Sequence, residues 1–333
     1  MTIPKALIPC LSLLFTGCPG VVDNMALKRI LPAALERGDI GEACALGEGL
    51  AAAVQSMETK NRSPEKALTI IGIASAICFE QRAQTADLNE ASVRALWMGT
   101  PKGLTAITDA RLAKQRTHTR AAERYGRVWG SFNKLYPKHA TECPKLSAKE
   151  EPAYLIGLLS GLLAVLHDGT GGRNAGISQD VVLQAGRAAR CLDNEKWWNI
   201  PSAMEAASWA CIPGSGPTDV DPWKTLQTLG ASADDQGMRL ASALYVTVAA
   251  NAGREEDVKT GVMHAAQSRT SHQTPHGWAL LDNLAFSLMQ HESDLIWFRD
   301  AGHRTETLGD FPSSEEPEST PDNPFEDDPF GSD

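Results

Sequence analysis

Apolar residues recur at three- and four-residue spacings along most of the chain, and no sustained alternation of the kind seen in strands is found. Residues 153–167 are apolar at every helical phase, so a helix there leaves no face for water. Such a helix rises about 1.5 Å per residue, roughly 22 Å in all, which is shorter than the ~30 Å hydrocarbon core of a membrane. The pattern predicts an all-α fold with this helix buried at its centre.

The same periodicity predicts the surrounding helices. They cover residues 24–37, 40–57, 63–84, 88–98, 107–135, 179–192, 201–210, 222–229, 233–252, 255–267, 276–290 and 293–300. Short turns between them favour antiparallel pairs in a tetratricopeptide-like array, with residues 251–266 as the closest match to a repeat. The loop 136–149, which contains two prolines, is a candidate internal boundary.

The N-terminus has the features of an export signal. Lys5 precedes an apolar run over residues 6–15, and Thr16 and Gly17 lead to Cys18, which resembles a bacterial lipobox. We therefore expect residues 1–17 to be removed and Cys18 to carry the lipid anchor; an ordinary signal peptide is the alternative. Pro19 after the cysteine favours the outer membrane, with the protein facing the periplasm.

Acidic charge is concentrated at the other end. Ten of the 41 acidic residues lie in residues 305–333, where there is no lysine or arginine, so the 31 basic residues balance the remaining acids of the body. A neutral body argues against nucleic-acid binding and against membrane binding by anything except a lipid anchor. Residues 305–333 are predicted to be a disordered tail, in which Phe325 and Phe330 are either partner-docking points or simply solvated.

Five cysteines remain in the mature chain: Cys44, Cys78, Cys143, Cys191 and Cys211. Export to an oxidising compartment favours disulfides. Cys44 and Cys78 lie on neighbouring predicted helices, and Cys191 and Cys211 flank a tryptophan-rich segment, so these two pairings are the candidates. Buried free thiols are the alternative.

Aromatic residues gather near the middle of the chain. Trp197, Trp198, Trp209 and Trp223 fall in a proline-interrupted stretch, and Tyr154 lies on the central helix. Together they are a candidate cleft for a ligand or partner, and the alternative is that they fill gaps between irregular helices.

Catalytic motifs are not evident. The spacing of Gly171 and Gly176 matches a phosphate loop, but Ile177 stands where that motif needs lysine. His272 and His276 have metal-ligand spacing, but Pro275 interrupts the helix between them. We therefore expect a non-enzymatic protein without a metal or other cofactor. A metal-dependent or other hydrolase that uses the histidines of residues 264–303 is the alternative function.

Three features resemble the T-component lipoproteins associated with tripartite ATP-independent periplasmic (TRAP) transporters. They are the long basic helix with Arg111, Arg116, Arg120, Arg124, Tyr125 and Trp129, the apolar residues 154–166, and the turn and helix of residues 253–266. The resemblance covers residues 24–300 and implies a helical array around a hydrophobic ligand cavity. It also implies association with a periplasmic solute-binding protein and no catalytic residues. The glycine-rich loop, the tryptophan pair and the acidic tail depart from that family.

Overall fold

The computed structural model describes residues 19–59 and 63–312, and all its secondary-structure elements in these ranges are helical, which confirms the predicted all-α class. The elements are α1 (Pro19–Met25), a π-helical turn (Ala26–Ile30), α2 (Leu31–Arg37), α3 (Ile40–Ser56), α4 (Glu65–Trp97), α5 (Gly103–Leu135), α6 (Glu151–Thr170), α7 (Asp180–Ala189), α8 (Ile200–Cys211), α9 (Pro222–Asp234), α10 (Leu240–Asn251), α11 (Glu255–Ser271) and α12 (Ala279–Asp300). The predicted signal peptide, Cys18, Phe325 and Phe330 lie outside the described residues.

Helices α3 to α12 pack mainly against their neighbours in sequence, and α12 returns to contact α2 and α4. The chain therefore closes into a ring of helices. α4 and α5 have 33 residues each and pack against one another along their length. At about 1.5 Å per residue they are roughly 50 Å long, more than any other element of the ring.

Helix α6 is buried, as the apolar pattern predicts, although it packs mainly against α4, α5 and α7 as one member of the ring and not at its centre. Leu155 and Leu158 are fully buried, and two glycines allow α5 to approach closely. A Cβ on Gly157 would lie 2.2 Å from the Phe132 ring, and one on Gly161 would lie 2.7 Å from the Trp129 ring. Within the described residues, α6 alone combines the length and apolar character needed to cross a membrane, and 67% of that apolar window is buried in the fold.

Two disulfides are present among the described residues. Cys44 and Cys78 join α3 to α4 with a Cα–Cα distance of 4.9 Å, which confirms the first predicted pairing. The predicted Cys191–Cys211 bond is wrong. The loop between α5 and α6 instead brings Cys143 within 5.2 Å (Cα–Cα) of Cys191, and Cys211 remains a free thiol at the end of α8.

The structure divides some segments into helices differently from the prediction. The predicted helices 63–84 and 88–98 are one helix, α4, and 276–290 and 293–300 belong to one helix, α12. Conversely, the predicted helix 233–252 is interrupted after Asp234 by a turn in which Gly237 has a φ of 83°. A left-handed backbone at that point favours glycine and ends the helix.

The acidic tail begins later than predicted. Thr305 donates hydrogen bonds from its backbone N–H to Asp294 and from its hydroxyl to Ser293, so it is fixed against α12. Leu308 and Phe311 then pack on the hydrophobic core. Residues 305–312 are therefore part of the folded body, because they offer two apolar side chains and a threonine that bonds to α12. The remainder of the predicted tail lies outside the described residues.

Candidate functional site

The ring encloses an apolar cavity of about 90 Å³. Side chains of α4, α6, α10 and α12 form most of its wall, and α5, α7 and α8 add single residues or pairs. The aliphatic members of the wall are Ile73, Ile77, Ile156, Leu159, Leu162, Leu163, Leu166, Val182, Leu240, Leu244, Val248, Leu281, Leu284 and Leu288. Such a lining favours an apolar occupant.

One end of this cavity is polar. A second cavity of about 150 Å³ shares with the first the side chains of Glu80, Leu163, Leu166, Thr247 and Leu288. We call this second space the polar end. The charged and titratable members of its wall are Glu80, Asp87, Lys114, His118, His167, His291 and Glu292. The site as a whole therefore combines an apolar chamber with a titratable cluster.

A continuous line of hydrogen bonds runs through the cluster from α4 to α5, α6 and back. His118 Nε2 lies 2.9 Å from Asp87 Oδ1, and the Nδ1 atoms of His118 and His167 are 2.9 Å apart. His167 Nε2 lies 2.6 Å from Glu80 Oε2, which also accepts a hydrogen bond of 3.1 Å from the Tyr125 hydroxyl. All five side chains are buried.

These contacts determine which ring nitrogens of His118 and His167 carry protons. Each Nε2 faces a carboxylate and must donate to it, so one Nδ1 of the histidine pair must carry a further proton for the 2.9 Å contact between them to be a hydrogen bond. One of the two rings is then an imidazolium. Burial opposes charge on His167, but the charge of Glu80 and its hydrogen bond outweigh it and raise the pKa of His167. We assign the extra proton to His167, which donates to His118.

The two acidic partners are held ionised. Burial by itself would raise the pKa of Glu80, but His167 and then Tyr125 lower it to below its ordinary value. The pKa of Asp87 is likewise lowered despite burial, since His118 and His291 donate to its two oxygens. Lys114 adds an ion pair of 3.1 Å to the same carboxylate.

Glu292 differs from the rest of the cluster because it has no hydrogen-bond partner among the described residues. Burial, together with the negative charges of Asp87 and Glu80, raises its pKa to about 7, although His291 acts in the opposite direction. The hydroxyl of Thr247, on the wall shared by both cavities, is buried and also has no partner in the described structure. Together with Nδ1 of His291, which is also buried without a partner, three polar groups at the polar end thus lack a hydrogen-bond partner in the described structure.

The aromatic residues predicted to form a cleft are not brought together as one set, and none of them lines the central cavity. Trp197 is buried, donates its indole N–H to Glu151, and packs against Trp198 and Trp278. Tyr154 is fully buried and donates to the Ala188 carbonyl. Each occupies a gap between helices, so the cleft prediction is wrong.

The other two predicted cleft residues lie in separate environments. Trp209 packs close to Gly216, where a Cβ would lie 2.7 Å from the indole ring. The Arg254 guanidinium lies over the indole of Trp223, with its central carbon 4.5 Å from the centroid of the indole ring. Both therefore serve local packing of the loops around α8 and α9.

The histidines of residues 264–303 are also dispersed. His264 contacts Asp234 at 2.9 Å, His276 lies 3.7 Å from Glu36, and only His291 belongs to the cluster. Across residues 19–59 and 63–312, no three or more His, Cys, Asp or Glu side chains are arranged to hold a metal ion.

The fold brings together from four helices five side chains that were not among the predicted site residues: Glu80, Asp87, His118, His167 and Glu292. Their common signal is a polar residue on the otherwise apolar side of a long helix. Comparison of the chain with protein-family models, characterised proteins and solved structures gives no significant match.

Proposed function

We propose that this protein is a non-enzymatic α-helical scaffold that holds a small, mainly apolar molecule inside its ring of helices and binds a partner protein. The aliphatic cavity supports ligand binding most directly. Side chains from several helices line it, and an apolar space of this kind favours an apolar ligand. For comparison, a dry apolar cavity of about 150 Å³ engineered into another protein binds a six-carbon ring. The apolar chamber and the polar end together suit an occupant of about six carbons with a polar group.

We place this scaffold in a bacterial cell envelope. The support is the lipobox-like segment ending at Cys18, which predicts lipid anchoring and an outer-membrane protein facing the periplasm. The partner suggested by the family resemblance is a periplasmic solute-binding protein. Two disulfides within the described body are consistent with an oxidising compartment.

Binding of n-hexanol tests the ligand-binding proposal. At ten times its Kd it should stabilise the protein by about 1.4 kcal/mol, raising Tm by roughly 2–4 °C. Ala243→Leu adds three carbon atoms to the cavity wall and should remove most of this shift. Ala53→Leu, at an exposed position of α3, is the matched control and should keep it. An equal Tm shift in both variants would contradict binding in the cavity.

A second surface supports the partner-binding part of the proposal. Large apolar side chains are exposed where α4 turns into α5: Leu96, Trp97, Met98, Leu104 and Leu112. We call this the hairpin tip. Near the start of α4, the backbone N–H of Ala67 donates a hydrogen bond to the carboxylate of Asp23 in α1, so the N-terminal helix lies at that end of α4. The hairpin tip lies about 45 Å further along α4. An anchor at the N-terminus therefore leaves the tip free.

The hairpin tip suits a partner that presents an apolar pocket with an acidic rim, since Lys102 and Arg111 are exposed beside the apolar side chains. Trp97→Ser combined with Leu104→Ser should reduce recovery of the partner from envelope extracts at least fivefold, measured by quantitative mass spectrometry. Met263→Ser, at an exposed apolar residue of α11, is the matched control and should not reduce it. Equal recovery with all three baits would exclude the tip as the docking surface.

A further inference from the structure

At the polar end, every basic side chain has an acidic partner, but one acidic side chain has no partner. Each of its basic side chains already contacts a carboxylate: Lys114 with Asp87 and Glu90, His118 with Asp87, His167 with Glu80, and His291 with Asp87. Among its acidic side chains, Glu292 alone lacks both a hydrogen bond and an ion pair in the described structure. The unsatisfied charge of this site is therefore a carboxylate.

Polar groups without partners beside an apolar cavity have a defined chemical complement. Glu292 accepts hydrogen bonds when ionised, and the partnerless hydroxyl of Thr247 can accept another. An ammonium group carries three N–H donors and a positive charge, so it satisfies both. A ligand carboxylate would find the Lys114 ammonium and the other imidazole nitrogens already engaged, with only Nδ1 of His291 left, and it would lie close to Asp87, Glu80 and Glu292.

We propose that the cavity binds a short primary alkylamine, with its ammonium group on Glu292 and Thr247 and its alkyl chain among the leucines of the apolar chamber. This inference rests on the ligand-binding function proposed above and names the chemical class of the ligand. Leu288, one turn before Glu292 on α12, lines both cavities, so a chain that leaves the polar end passes directly onto aliphatic wall. The volumes of about 90 and 150 Å³ limit the chain to about six carbons.

Binding of the ammonium group should be linked to release of a proton from Glu292. The charged groups around it are Glu80 and Asp87 of α4, Lys114 and His118 of α5, His167 of α6, and His291 on its own helix; α10 contributes the uncharged Thr247 and Asn251. Since the pKa of Glu292 is about 7, ionised Glu292 predominates above pH 8, and protons compete with the amine below pH 6. An alkylamine stays protonated throughout this range.

Isothermal titration with n-hexylamine, n-hexanol and n-hexanoate tests this inference. At pH 8 the amine should bind roughly 10- to 100-fold more tightly than the alcohol, the range given by a charge-assisted hydrogen bond. Below pH 6 that preference should fall by about tenfold for each pH unit. Hexanoate should bind more weakly than the alcohol at pH 8.

Glu292→Gln should abolish the amine preference while leaving hexanol affinity within about twofold, which also shows that the variant is folded. Glu195→Gln, at an exposed residue that lines neither cavity, is the matched control and should behave as wild type. Hexanol binding without a preference for the amine, or tighter binding of hexanoate, would overturn this inference alone. Binding of none of the three ligands would overturn the proposed function as well.

Discussion

Replacing Gly47 by alanine is expected to lower the free energy of unfolding by about 3 kcal/mol, although this change in a helix interior usually stabilises a protein. Gly47 lies in α3 against the backbone of α4, where an added Cβ would be 2.1 Å from the amide nitrogen of Ser75 and 2.2 Å from the carbonyl carbon of Ala74. Backbone atoms inside a helix cannot rotate away as a side chain does. The Cys44–Cys78 disulfide holds the two helices together one turn away, so α3 cannot simply move outward.

Gly49→Ala provides the matched control, because it lies on the same helix and a Cβ there meets no atom within 4 Å. It should stabilise the protein by about 0.5–1 kcal/mol through the lower conformational entropy of the unfolded chain. Urea unfolding of both variants with the disulfides intact measures the difference. If the two changes have the same sign and size, α3 and α4 are not in the close contact described above.

Much of the fold is predictable from local pattern because local pattern reports burial. Residues 153–167 have no polar face, and the structure buries most of them in the wall of the central cavity. The pairing of Cys44 with Cys78 follows from two adjacent helices in an oxidising compartment. Cys191 shows the limit of this argument: its partner comes from a loop, and no periodicity indicates where a loop returns.

The sequence predicts a break in each of two helices that are continuous in the structure, and both breaks coincide with the candidate site. The predicted break in α4 falls at residues 85–87 and the break in α12 at residues 291–292, where apolar periodicity fails. Asp87, His291 and Glu292 occupy these positions and all line the polar end. Polar residues that interrupt the apolar face of a helix therefore mark the candidate site, at the positions where local sequence and global fold disagree.

The site itself could not be predicted, because its members meet only through tertiary packing. His118 and His167 are in contact across 49 residues, and Asp87 and His291 across 204. In sequence each is an isolated polar residue on a helix, and an isolated histidine does not reveal its partner. The nearby spacing of His272 and His276 was more visible in the sequence, yet the fold keeps both away from the cluster.

A second large effect is expected where α10, α11 and α12 meet. Arg239 is only 1% exposed, and its guanidinium pairs with Asp282 at 3.2 Å. Asp282 also accepts the backbone N–H of Arg239 at 3.0 Å and the hydroxyl of Thr274 at 2.6 Å. The guanidinium donates further to the carbonyl oxygens of Ser268 and His272, so one ion pair fixes the junction of three helices.

Asp282→Asn should therefore lower the free energy of unfolding by about 3–5 kcal/mol, because it removes the carboxylate that the buried Arg239 guanidinium contacts. Asparagine also has one carbonyl oxygen where the carboxylate has two, so its amide N–H₂ would face donors on one side. Asp300→Asn on the same helix removes an exposed pair with Arg299 and should cost less than about 1 kcal/mol. Urea unfolding at pH 7 compares the two. A loss below 1 kcal/mol for Asp282→Asn would mean that water or another acceptor reaches Arg239, and that this junction does not close the ring.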